Sequence, residues 1–169
     1  MITARVESGG PPEVPCQQRG PAAILFNLAT EIDSVREPLT TLAFASAELA
    51  GEPQSRELRD TVARAWTQVC SILDRHSATD DHTLFAEAAS HPGFRPDLVE
   101  RLRTRVHRLR ELRADIDQAP FEEGGDDAQV VEAATRLHCL TVVLDDLITA
   151  EEGEVFPMLR RLLFASKGH

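Results

Sequence analysis

The chain has 169 residues, of which 42% are hydrophobic and 27% charged, and its formal net charge is -10. That length suits one domain with a single core. The acidic balance and the lack of a basic stripe argue against nucleic acid as a partner, and no apolar run nears the ~20 residues that a membrane span needs.

Residues 1–20 are rich in Gly and Pro and have no periodicity. They are expected to form a disordered N-terminal arm. They also lack the apolar core of a signal peptide, which predicts a cytoplasmic protein. Cys16, Cys70 and Cys139 are odd in number and have no metal-type spacing, so structural disulfides are not expected. Cys70 and Cys139 fall in helical patterns and read as core or boundary residues.

Four helical patterns follow. The first runs from about Ala22 to Ala50, with Leu25, Leu28, Ile32, Val35, Leu39, Leu42 and Leu49 at the three- and four-residue spacing of one face. Pro38 is expected to kink it or to mark a join between two helices. The stretch from Ala50 to Pro53 is a stop signal. The second begins near Ser55 and reaches about Ala89, with Val62, Trp66, Val69, Leu73, His76, Asp80 and Leu84 in its stripe. Residues 90–96 break it. The third runs from about Pro96 to Ile116 on Leu98, Leu102, Leu109, Leu112 and Ile116. The fourth runs from about Ala128 to Phe164 on Val130, Ala134, Leu137, Thr141, Leu144, Ile148, Glu152, Val155, Leu159 and Leu162. Long helices joined by short loops, with no strand pattern between them, predict an all-α, antiparallel up-down four-helix bundle.

Polar residues interrupt two of these stripes. His76 and Asp80 are four apart and share a helix face. Glu152 stands at the echoing place in the fourth helix, where "EEGEVF" mirrors "DDHTLF" of the second. Buried carboxylates are costly unless paired, protonated or bound to a cation. A His and an Asp one turn apart, with a facing Glu, are the means by which helical bundles assemble carboxylate metal sites.

The segment "HSATDDHTLF", His76 to Phe85, resembles the H-H-x-x-E-D-x-x-L-F motif of the hemerythrin-like HHE cation-binding family. "EEGEVFPML", Glu151 to Leu159, is similar to that family's H-x-x-x-E-E-x-x-x-F-P ending. The resemblance covers roughly residues 22–164 and implies a hemerythrin-like bundle over 21–165. The family holds two irons between its helices, with histidines from all four helices and two bridging carboxylates. Matched residue by residue, the resemblance gives His76 as the second-helix histidine and Asp80 and Glu152 as the carboxylates. It also puts a first-helix histidine near Ile32 and a fourth-helix histidine at Ile148 or Leu147, where this chain is aliphatic. On the third helix "VHRLREL" resembles the family's "EHRxLREL" out of register by one. At about 100° per residue, His107 points away from Leu98, Leu109 and Ile116, while Arg105 and Val106 face the core.

The metal set implied is therefore His76, Asp80 and Glu152, with His107 as a fourth candidate. It is too few for a di-iron centre and suited to a single iron. Arg105 is a candidate partner for Asp80 or Glu152 that would replace the cation by a guanidinium. The leading expectation is a protein that binds a metal ion or a small ligand at this altered site. A second is a metal-independent isomerase, cyclase or hydrolase. There Ile32 and Ile148 would shape an apolar pocket, Asp80 or Glu152 would be the acid and His76 the base. A third is a regulatory bundle without chemistry, whose polar core residues fix register.

Overall fold

In a computed structural model the described residues form helices and no strand. The structure describes residues 21–78, 86, 88–117 and 126–164, apart from the side chains at 21, 76–78 and 117. The arm expected over residues 1–20 lies outside them. Four long helices succeed one another: α1 (Pro21–Gly51), α2 (Arg56–Ala78), α3 (Pro96–Asp117) and α4 (Asp127–Ala150). A π-helical turn, Glu151–Val155, continues α4 into α5 (Phe156–Phe164). Among the described residues no helix is long and apolar enough to cross a membrane.

The apolar stripe of α1 is buried throughout, from Leu25 to Leu49. Pro38 lies inside α1 and does not divide it into two helices. Proline cannot donate to the carbonyl four residues back. Burial of Val35, Leu39 and Leu42 on either side of that gap holds the helix together. The turn into α2 is capped by Ser55, whose Oγ accepts the Leu58 N–H at 3.4 Å, and Glu57 stands in the first turn. In α2 the inward residues are Val62, Ala65, Val69 and Ile72, while Trp66 and Leu73 are half-buried beside them.

Residues 89–95 form the break before α3. Gly93 adopts φ +95°, a left-handed conformation that a side chain would strain. Pro96 then opens α3, where its missing N–H costs nothing. Asp126 caps α4 by accepting the Ala128 N–H at 3.3 Å.

α1 packs against α2 and α4, and α3 packs against α4 and the π turn. One continuous core results, with Leu42, Leu49, Val62, Val69, Leu137, Leu140, Leu144 and Leu159 all but inaccessible. Each such Leu contributes roughly 1.5–3 kcal/mol relative to exposure. Cys70 is half-buried, as a boundary residue should be, whereas Cys139 is exposed and not part of the core.

The π turn has a sequence origin. Pro157 stands in the first turn of α5 and has no N–H to give. In a regular helix its ring would also press on the Gly153 carbonyl. The chain takes up one extra residue there, and the Phe156 N–H reaches back five residues to the Glu151 carbonyl.

Candidate functional site

A small pocket, called the cavity below, lies where the middle of α1 meets the end of α2 and the end of α4. Ile32 and Val35 of α1, Ile72 and Leu73 of α2, and Leu144, Leu147 and Ile148 of α4 form an aliphatic wall. Two carboxylates interrupt it: Glu31 of α1 and Glu151, the first residue of the π turn. The cavity measures about 20 Å³. One water needs roughly 10–15 Å³ measured the same way, so the space as it stands fits about one water.

Glu151 is the residue that the sequence reading passed over. It is 6% exposed, the most deeply buried acid among the described residues. Counting by fours from Ile148 selects Glu152, but Leu147 is buried as well, and four residues from Leu147 is Glu151. Glu152 is only half-buried and turns to the α1–α4 seam, where its Oε2 accepts a hydrogen bond from Nη2 of Arg36. That bond holds the Arg36 guanidinium above its ordinary pKa, and the charges of Glu152, Asp33 and Asp145 add to the effect. Asp33 lies 3.9 Å from Nε of Arg36. The cation that meets Glu152 is therefore Arg36, and Arg105 stands half-buried on α3.

The other candidates fall as follows. Ile32 and Ile148 are both brought to the cavity and are 4% and 3% exposed. His107 is not brought there. Its side chain is 76% exposed, and Nε2 lies 3.3 Å from Glu111, one turn on along the same helix. The register of α3 explains this, since Leu109 and Ile116 take the inward face. His76 belongs to the last turn of α2, four residues beyond the cavity residue Ile72, and its side chain lies outside the described residues. Asp80 lies outside them entirely. Among the described residues no group of three or more His, Cys, Asp or Glu side chains is placed to hold a metal ion.

The rim of the site is tied to α3. Glu154 of the π turn meets Arg101 at 3.2 Å, and Arg101 reaches Asp97 at 4.0 Å. Asp97 is also bound by Arg95 at 2.6 Å, and that hydrogen bond lowers the Asp97 pKa. Three successive acids of one turn thus face three different surroundings: Glu151 the cavity, Glu152 α1 and Glu154 α3. No protein-family model matches the chain, and no curated protein or solved structure matches it either.

Proposed function

We propose that this chain is a cytoplasmic, hemerythrin-like up-down four-helix bundle that binds a single iron-type cation in a depleted core site. One observation carries the reading: a buried carboxylate, Glu151, opens onto an otherwise aliphatic cavity beside Glu31. Two carboxylates facing one pocket supply the oxygen donors that a hard cation takes. Ile32, Leu147 and Ile148 offer no donor atoms, so the residues do not fit a two-iron centre.

In this reading Glu31 and Glu151 would hold the ion, and the further donors expected from the sequence, His76 and Asp80, lie outside the described side chains. The chemistry that such an ion supplies when bound is coordination of dioxygen, nitric oxide or a substrate at its open positions. The aliphatic residues around it exclude bulk water, and the half-exposed rim acids fix the turn that carries Glu151. A second reading, a regulatory bundle without a ligand, draws support from the lack of a three-ligand group among the described residues. Elemental analysis of protein purified without chelators separates the two. The cation reading expects up to one equivalent of iron or a related metal per chain, and a metal-free protein that takes up none from anaerobic Fe(II) would favour the regulatory bundle.

A further inference from the structure

Pro38 stands in the middle of α1, buried, on the side that meets α2. A proline there is costly, because it has no N–H for the carbonyl four residues back. That carbonyl belongs to Ser34. A helical carbonyl points along the axis towards the residue four further on, so the Ser34 oxygen lies between Ser34 and Pro38. Both residues line an open groove of about 560 Å³ between α1 and α2. The groove therefore holds a backbone acceptor that the helix itself does not use.

Other polar groups there are also unspent. Among the described residues, no hydrogen bond or ion pair engages the side chains of Glu37, Thr41, Gln68 and Ser71, all of which line the groove. Thr40 and Thr67 each donate to the carbonyl four residues earlier at 2.9 Å, and Thr41 does not. The floor is made by the Pro38 ring and Ile72, both buried. Arg75, engaged by a further interaction, adds a positive charge opposite to that of Glu37.

We infer that this groove binds a small neutral polyol, a molecule of about monosaccharide size that carries several hydroxyls. The volume falls within the roughly 300–1,000 Å³ of small-molecule sites. A hydroxyl both donates and accepts: it can donate to the Glu37 carboxylate and the Ser34 carbonyl, and accept from Thr41, Ser71 and the Gln68 amide. A charged ligand matches only half of this lining, and meets a like charge at Arg75 or Glu37. The C–H face of a polyol covers Pro38 and Ile72. None of the polar groups of the groove lines the carboxylate cavity, so the inference does not rest on the cation reading.

The test is an amide NMR titration of the isotope-labelled full chain with D-glucose, myo-inositol and glycerol, and with butanediamine and succinate as charged probes. At least one polyol is expected to give saturable shifts, in the millimolar range, centred on the amides of Thr41, Gln68 and Ser71. Glu37→Ala should weaken that binding about tenfold or more, as loss of a hydrogen bond to a charged group does. Pro38→Ala returns an N–H to the Ser34 carbonyl and should weaken binding about threefold or more, while circular dichroism shows at least as much helix as in wild type. Glu48→Ala, which removes an exposed acid of the same helix outside the groove, should leave binding unchanged. The proposal is overturned if no polyol gives saturable shifts at these amides, or if either Glu37→Ala or Pro38→Ala binds as wild type does. It is also overturned if butanediamine or succinate occupies the groove as tightly as the polyols.

Discussion

The two ends of α4 obey different rules. At its start the core takes Leu49, Val62 and Val130 from three helices, and all are fully buried. The polar groups there are all paired: Asp127 accepts a hydrogen bond from Gln54 and pairs with the largely buried Arg59 at 3.6 Å, while Arg59 donates to the Pro53 carbonyl at 2.8 Å. At the far end the helix widens into a π turn, an acid points inward and a cavity remains. Local rules are broken three times within one turn. Departures from the regular pattern that persist in a folded chain gather where function requires them. The first end therefore reads as a clamp for the fold, and the second is where the proposed site lies.

Substitutions at the two ends should respond differently. The largest effect is expected at the clamp, where Leu49→Ala should cost roughly 2–5 kcal/mol in chemical denaturation, because a packed site cannot collapse around the loss. At the other end Glu151→Leu should change stability less than the clamp substitution, because added apolar burial offsets the loss of the carboxylate's interactions. It should also abolish cation uptake. A Glu151→Leu protein that melts far below wild type would make Glu151 a structural residue and erase the contrast. Arg36→Gln should cost about 0.2–1 kcal/mol at most, as exposed ion pairs do, so its thermal melt should lie close to that of wild type.

The smallest effect concerns Asp74 and Arg113, which tie α2 to α3 at 2.6 Å outside both regions. The hydrogen bond from Arg113 lowers the Asp74 pKa, helped by the guanidinium charge and opposed by burial. The unfolded carboxyl titrates near about 3.9, so the contribution is complete above that pH. It is lost as the pH falls through the lower folded value. Because Asp74 is 62% exposed, Asp74→Asn should cost less than about 1 kcal/mol at pH 7. The melting difference from wild type should shrink towards zero in strong acid.

Much of this could be read in the sequence, and the failures have physical causes. Apolar spacing placed α1, α3 and the α4–α5 rod to within a residue or so, because long stripes of Leu and Val leave little choice of face. Part of the segment expected to continue the second helix to Ala89 lies outside the described residues, as does Asp80. The π turn was not anticipated, although Pro157 after "EEGEVF" is its local cause. A regular α-helical count carried through that turn put Glu152 in the core, where Glu151 stands. Arg36 was missed for another reason. It sits beside the stripe of α1, and its partner is 116 residues away in sequence. Helical periodicity says which face a residue occupies, but not which residue of another helix it will meet.

The measurement that bears most directly on the central claim is an anaerobic Fe(II) titration of wild type beside Glu151→Gln, with bound metal counted per chain and fold followed by circular dichroism. Gln keeps the shape of the side chain and removes its charge. The account predicts one tight equivalent in wild type and none in Glu151→Gln, with both proteins equally helical. Equal uptake by the two proteins would contradict it.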